Sequence, residues 1–537
     1  MRSDKLKQGI ETLPHRALLR ASGLEDADFK KPFIGVANSF NDVIPGHVHL
    51  RKLSEEVKRG IKDAGGVPFE WGVPGVCDGI AMFVEMRLSL PSREHIAENI
   101  EIMAMSHSMD AWVGVTNCDK ITPGMLMAAG RINIPSVILT GGPMKPGEVD
   151  GKKVDLISTF EIVGQIKNGL EVSNETIRQL ECESCPGEGS CAGLFTANTM
   201  ACMTEVLGMS LTGCATSLAV SEKKMQIAYE SGKKAVELAL KGIKPRDVVT
   251  KESLQNAVMV DMAIGGSSNT ALHLPAIAEA FDVDLTLDDF DNLSKTTPNI
   301  CKIRPSGPYF MEDIENSGGI PGVLKQLKLK LQEAKTINEK SIIEIANEAS
   351  VTNEEIIRPI SNPFFEEGGI AVLKGNLANS SVVKQTAVDP DIMVHSGPAK
   401  VFTSEEEMLE AVEKGKIVEG DVVVLKYMGV KGAPGMPEML TPTSVIMGAG
   451  FKKVVLLTDG RFSGGTRGPC IGHIEPEAYD GGTIGIIEDG DIINIDIPNR
   501  KLDVELSEEE IRARKKNMVA PERKMTPMLR RIREHGL

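Results

Sequence analysis

Short apolar runs alternating with amphipathic stretches constrain the fold of this chain most. Phe33-Ile34-Gly35-Val36-Ala37, Ala111-Trp112-Val113-Gly114-Val115 and Ser136-Val137-Ile138-Leu139-Thr140 show little polar alternation, as strands covered on both faces require. Between them, a helix capped by Ser92 places Ile96, Ile100 and Met103 on one face, with Glu94 in its first turn. Strands alternating with helices predict an α/β/α domain with a largely parallel sheet. A core of Val, Ile, Ala, Leu and Met suits such layers, since aromatics are 4% of the chain. Ligands of these sheets gather beyond the C-terminal strand ends.

At 537 residues the chain exceeds one compact core. Its character changes after Pro359, and residues Ser361 to Gly369 read as a linker, so domains are expected at 1–360 and 361–537. The second domain carries Val422-Val423-Val424-Leu425, Val454-Val455-Leu456-Leu457 and a run of short strands. Of these, Ile484 to Ile487 and Ile492 to Ile495 flank an Asp489-Gly490 turn and read as a hairpin. Thr403 with Glu406, and Ser507 with Glu510, read as capping boxes of two helices. The expectation is a C-terminal β-barrel-like domain with flanking helices.

A net charge of −15 argues against nucleic-acid binding. The basic residues at Arg512 to Lys516 and Arg523 to Arg533 read as a solvated helical tail. No apolar stretch approaches the ~18 residues of a membrane span, and the N-terminus lacks a signal-peptide core. A soluble cytoplasmic protein without membrane contact is expected. Neither a phosphate-binding loop nor a dinucleotide fingerprint is present. Nine cysteines in a cytosolic chain argue against structural disulfides.

Chemistry concentrates in a few segments. Cys118-Asp119-Lys120, just past the predicted strand ending at Val115, sets a soft thiol beside a hard carboxylate. Thiolates favour iron–sulfur clusters or zinc, whereas carboxylates favour magnesium, so two adjoining inorganic centres are the economical reading. Cys182-x2-Cys185-x5-Cys191 concentrates three more thiols in a Gly-rich loop, and spacing alone leaves zinc and iron–sulfur equally open. Asp78, Asp119 and Glu438 are candidate Mg²⁺ ligands, each of which taken singly also suits a surface or capping carboxylate. Lys120 reads either as an ordinary ion-pairing lysine or, if carbamylated, as an oxygen ligand. Ser463, in Asp459-Gly460-Arg461-Phe462-Ser463-Gly464-Gly465-Thr466, is a candidate alkoxide base, against the plainer reading of a hydrogen-bonding loop serine. Gly265-Gly266-Ser267-Ser268-Asn269 reads as a helix N-cap able to hold a substrate carboxylate. His47 and His49 read as surface residues rather than metal ligands.

Several segments together resemble the dihydroxy-acid dehydratase and phosphogluconate dehydratase family along nearly the whole chain. They are Pro45-Gly46-His47-Val48-His49-Leu50, Cys77-Asp78-Gly79-Ile80-Ala81-Met82, Leu90-Pro91-Ser92-Arg93-Glu94, Asn117 to Gly124, Gly189-Ser190-Cys191, Phe195 to Met200, Gly435-Met436-Pro437-Glu438 and Asp459 to Thr466. The resemblance implies iron–sulfur ligands at Cys118 and Cys191 and Mg²⁺ ligands at Asp78, Asp119 and Glu438. It also implies a carbamylated, Mg²⁺-binding Lys120, Ser463 as general base, and a homodimer. It decides the thiol question for an iron–sulfur cluster, [2Fe–2S] in preference to [4Fe–4S]. The implied reaction removes water from a small 2,3-dihydroxy-3-methyl carboxylic acid, giving a 2-oxo acid in valine and isoleucine biosynthesis. Dehydration of a sugar acid such as 6-phosphogluconate or a pentonate is the alternative. One departure stands out: Gly46 occupies the loop position where many [2Fe–2S] members carry a third Cys, leaving Cys77 or Cys185 as substitutes.

Overall fold

The computed structural model describes residues 1–82, 84–167 and 169–537. The three apolar runs become β1 (Phe33–Asn38), β3 (Ala111–Thr116) and β4 (Ser136–Thr140), every residue of which is buried. With β2 (Val67–Gly72) they form a four-stranded, wholly parallel sheet in the order β2-β1-β3-β4. β2 lacks an apolar run because it is the half-exposed edge strand, where Pro68 is tolerated. Helix α1 (Leu50–Asp63) lies against β1, β2 and β3. Helix α2 (Ser89–Ser106) packs on α3 (Ile121–Ile132), which contacts β3 and β4. Helices α4 (Thr196–Val206), α5 (Glu222–Lys241), α6 (Lys251–Ile264) and α7 (Thr270–Ala280) follow, and α5 packs along α1. Ile96 and Ile100 of α2 are buried as expected, but Ser92 lies inside the helix, with its hydroxyl donating to the Ser89 carbonyl at 2.6 Å. Pro91 is accommodated because it falls in the first turn, so α2 begins earlier than its sequence suggests.

The second sheet has eight strands. They are β5 (Ala371–Leu373), β6 (Ser380–Val383), β7 (Val394–Phe402), β8 (Val422–Leu425), β10 (Val455–Thr458), β12 (Cys470–Glu475), β13 (Ile492–Asp496) and β14 (Lys501–Val504). A separate two-stranded ribbon joins β9 (Glu438–Met439) to β11 (Arg461–Phe462). The eight-stranded order is β14-β13-β7-β8-β10-β12-β6-β5, with β7, β8, β10 and β12 mutually parallel. A bridge between Lys374 and Lys501 brings the two edges together, so the sheet curls nearly into a barrel. Val422 and Val424 belong to one apolar cluster, Val423 and Leu425 to another that includes Met408, Ala411 and Val412. Burial on both faces explains the unbroken apolar run.

Three expectations are corrected in this half. Thr483–Ile486 is a 3₁₀ turn rather than a strand, and the antiparallel hairpin is β13 with β14. Ile484, Ile486 and Ile487 are nonetheless buried in the barrel cluster, and a four-residue apolar run cannot distinguish a turn from a strand. Helix α8 (Glu405–Glu413) is capped by Ser404, which accepts from the Glu407 N–H at 3.2 Å, one position later than predicted. Ser507 does cap α10 (Glu508–Lys515; α9 is Thr441–Gly448), accepting from the Glu510 N–H at 3.2 Å. Of the basic tail, α10 buries no residue, as a solvated segment should, but the part from Arg523 onward is docked. Leu529 and Ile532 of α11 (Pro527–His535) are buried, and Arg523 donates to the carbonyls of Gly432, Thr403 and Tyr427.

Residues 361–369 are pinned to the N-terminal half. The Asn299 N–H donates to the carbonyls of Phe365 and Glu367, and the Gly368 N–H donates to Ser294. Among the described residues no helix is long and apolar enough to cross a membrane.

Candidate functional site

The site forms where three loops meet past the end of β3. The Asn117 side-chain amide donates to the carbonyls of Gly46 (3.0 Å) and Gly142 (3.1 Å). The Gly189 N–H donates to Pro45 (3.1 Å) and the Ser190 N–H to Gly142 (3.0 Å), which lays the Cys191 loop against the Cys118 loop. His47 and His49, expected at the surface, are instead buried staples of this junction, with ring nitrogens on the carbonyls of Ser39 (2.6 Å) and Gly141 (3.0 Å). Burial drives both below the usual histidine range, His47 to about 4, so both are neutral at pH 7.

Cys118 adopts a left-handed backbone (φ +63°), an uncommon state for a side-chain-bearing residue that tends to recur at functional positions. Burial holds the Cys118 thiol well above its ordinary range, and Cys77, Asp119 and Cys191 raise it further. Burial does the same to Cys191, followed by Asp119, Cys185 and Cys77. Cys185 is pushed to about 11 by burial, Asp155 and Cys77. Cys77, Cys118, Cys185 and Cys191 therefore share one electrostatic neighbourhood, in which Cys77, Cys118 and Cys191 are half-buried and Cys185, like Cys182, is an exposed residue. Of the two substitutes for a loop cysteine, Cys77 is the thiol that raises Cys118 most. A Cβ built on Gly46 would sit 2.8 Å from Cys118 Sγ, so residue 46 faces that sulfur and its glycine is what lets the sulfur approach this closely. Thiols raised in this way become thiolates when a metal supplies the compensating charge, and soft sulfur donors are the type an iron–sulfur or zinc centre takes.

The carboxylates lie beside the thiols. One ligand oxygen each from Asp78, Asp119 and Glu438 falls within 4.8 Å of the other two, a donor set that fits a hard divalent cation. Lys120, fully buried at the N-terminus of α3, reaches Asp78 Oδ2 at 2.6 Å, Glu438 Oε2 at 2.9 Å and Asp119 Oδ2 at 3.5 Å. Asp78 also accepts from the Ser89 hydroxyl. Burial pushes Asp119 up to about 7 against the opposing charge of Lys120, and it raises Asp78 as well. Glu438 is buried equally deeply, yet Lys120 and Arg461 bring it down to about 2. Burial and Arg461 work against the Lys120 ammonium, but Asp78, Glu438 and Asp119 together hold its pKa above the ordinary lysine value. None of the three carboxylates is a freely solvated surface group, and Lys120 is their central ion-pair partner.

The C-terminal half delivers its residues on the β9–β11 ribbon, where Glu438 pairs in register with Arg461. Fully buried Arg461 ion-pairs with Glu438 and donates from Nε to the Met436 carbonyl at 3.0 Å. Asn269, at the N-cap position of α7, does not cap its own helix. It donates to the Phe462 carbonyl (3.1 Å) and accepts from Arg461 Nη1 (3.3 Å), locking the two halves together. Ser463 follows β11 directly and is half-buried. Its N–H donates to the Met439 carbonyl (2.8 Å), and its hydroxyl accepts from the Gly465 N–H (3.3 Å). Arg461 and Asn269 stand within segments the sequence marks, but their ties to Glu438 and Phe462 are long-range and leave no local signal. An apolar cluster of Ile157, Phe195 and Leu440, with Met82, Phe160 and Cys191 packed against it, borders the same region.

Residues 31–345 match the family model described as the dihydroxy-acid/6-phosphogluconate dehydratase N-terminal domain, and residues 355–536 match its C-terminal counterpart. A dihydroxy-acid dehydratase of Methanothermobacter thermautotrophicus is 53% identical over 538 residues, covering 99% of this chain and 98% of the relative. That of Methanococcoides burtonii is 55% identical over 542 residues, covering 99% and 98%. That of Methanobrevibacter smithii is 55% identical over 527 residues, covering 97% and 96%.

Proposed function

The chain belongs to the dihydroxy-acid/6-phosphogluconate dehydratase family, and on that premise we propose that it removes water from 2,3-dihydroxy-3-methyl carboxylic acids to give 2-oxo acids. It is a carbon–oxygen lyase, and its place is the valine and isoleucine branch of amino-acid biosynthesis. The observation that carries the reading is the convergence of Asp78, Asp119 and Glu438 beside a cluster of thiols. Residues 1–360 supply the thiols, Asp78, Asp119 and Lys120, and residues 361–537 supply Glu438 and Ser463. The proposal includes a cytoplasmic homodimer acting on a diffusible acid.

Asp78, Asp119 and Glu438 would hold Mg²⁺, with Lys120 converted to a carbamate that adds an oxygen where an ammonium would repel the ion. Cys118, Cys191 and Cys77 would hold the iron–sulfur cluster, with Cys77 taking the place of the thiol absent at Gly46. When bound, Mg²⁺ would supply the charge that makes the C2 proton more acidic, and the cluster would supply Lewis acidity for the departing C3 hydroxyl. Ser463 as alkoxide takes the C2 proton. The C2–H and C3–O bonds break, proton and hydroxide leave as water, and the enol becomes the 2-oxo acid with no net redox change. Arg461 and Asn269 fix the ribbon that presents Ser463. The apolar cluster of Ile157, Phe195 and Leu440 suits the methyl and ethyl groups of a branched acid better than the hydroxyls of a sugar acid.

A substrate panel tests this directly. Anaerobically prepared enzyme should form a 2-oxo acid from 2,3-dihydroxy-3-methylbutanoate at least ~10²-fold faster, in kcat/KM, than from 6-phosphogluconate or a pentonate, the discrimination expected of a site built against unpaired hydroxyls. A preference for the sugar acid would reassign the substrate. Iron and acid-labile sulfide measured on the same preparation are expected at two of each per chain, the [2Fe–2S] form. Four of each would replace it with [4Fe–4S].

A further inference from the structure

One buried lysine plays no part in the chemistry above. Lys384, just after β6, is 9% exposed, and its Nζ has no hydrogen-bond partner. An unpartnered buried ammonium is costly, and proteins seldom keep one without use. Lys384 and Ser463 line the same small cavity, with room for about one water (≈ 10 Å³). Ser268, Thr466 and Cys470 complete its polar lining. The loop packs closely there: a Cβ on Gly464 would come 2.6 Å from the Thr196 backbone nitrogen. The charged group facing Lys384 is Asp261 of α6. It accepts from the Thr270 hydroxyl at 2.6 Å through one oxygen, while its other oxygen is unpartnered. Cys470, the other titratable lining residue, is kept a neutral thiol by burial.

We propose that Lys384 is a positioning residue of the elimination, placing a positive charge at the cavity shared with Ser463 and thereby favouring the deprotonated hydroxyl that takes the C2 proton. This rests on Ser463 being the base. Ser463 gives its own proton to solvent before the reaction, takes the C2 proton during the elimination and passes it to the departing hydroxide, so that water leaves and the alkoxide is regenerated. Burial lowers the Lys384 pKa to about 8 against the opposing pull of Asp261, so the group carries its charge at neutral pH. Burial likewise raises Asp261, to about 7, which weakens its compensation of that charge.

The test compares Lys384→Met, Lys384→Arg and Asp261→Asn, each first checked for metal content and melting temperature. Lys384→Met should lower kcat about a hundredfold with KM within threefold of the parent, and it should move the acidic limb of the kcat–pH profile to higher pH. Lys384→Arg should recover at least a tenth of the parental kcat. Asp261→Asn removes the carboxylate that holds the charge on Lys384, so it should move the alkaline limb of the profile, where Lys384 loses its proton, to lower pH, which keeps the proposal testable if Lys384→Met fails to fold. A loss of activity with an unmoved limb, or near-parental kcat in Lys384→Met, would overturn it. Should Ser463→Ala keep full turnover, the assignment of the base has failed instead, and the two failures are thereby separable.

Discussion

Ser463→Ala should retain iron and magnesium at the parental stoichiometry and turn over at least ~10²-fold more slowly, the usual contribution of a positioned base. The separation of binding from turnover follows from where the residue sits. Ser463 lies one position beyond the β9–β11 ribbon, and among the described residues its hydroxyl is engaged only by the Gly465 N–H, whereas the candidate ligands are side chains on other segments. Its backbone holds the ribbon through the Met439 carbonyl, a bond that alanine keeps. Removing one hydroxyl therefore should leave the fold and the ligand set intact and take away only the proton acceptor. Parallel metal analysis and initial rates on anaerobic enzyme check it. Unchanged kcat in a fully loaded variant would remove Ser463 from the mechanism.

Glu438→Gln should lose magnesium affinity by at least ~10²-fold, more than is usual for a residue that merely orients a ligand. It should also destabilise the metal-free protein by about 3–5 kcal/mol, because breaking a buried ion pair leaves its partner charge uncompensated. Glu438 holds two fully buried cations, Lys120 and Arg461. Asp78 and Asp119 remain for Lys120, but the other contacts of Arg461 are the Met436 carbonyl and the Asn269 side chain, both neutral. The same carboxylate is the one C-terminal member of the trio, so its loss also weakens the seam between the halves. Denaturant unfolding in chelator, together with magnesium titration, reads both effects. Unchanged stability combined with unchanged magnesium binding would rule out both the structural and the ligand role.

Much of this protein was legible from its residues. The apolar runs at 33–37, 111–115 and 136–140 became the buried parallel strands, because burial on both faces writes itself into a short segment whatever the rest of the chain does. Cys118-Asp119-Lys120 past a strand end pointed to the candidate site, where Asp119 and Lys120 meet Asp78 and Glu438, residues that the family resemblance also singles out. Local patterns failed where several structures satisfy the same few residues: Ile484 to Ile487 is apolar enough for the barrel core yet folds as a turn, and Ser92 has cap chemistry inside a helix. His47 and His49 looked like surface residues because nothing near them in sequence reveals that Ser39 and Gly141 await their ring nitrogens.

What the sequence by itself determined was the inventory, meaning which donors exist, on which kinds of element, and in which family. The tertiary structure alone decided their company. It set Lys120 against Glu438 across 318 residues, turned Gly46 toward Cys118, tied Asn269 to Arg461, and left Lys384 unpartnered beside Ser463. Periodicity and capping act within a few turns of chain, whereas the burial that makes these charges costly and useful is created by elements meeting from opposite ends of it.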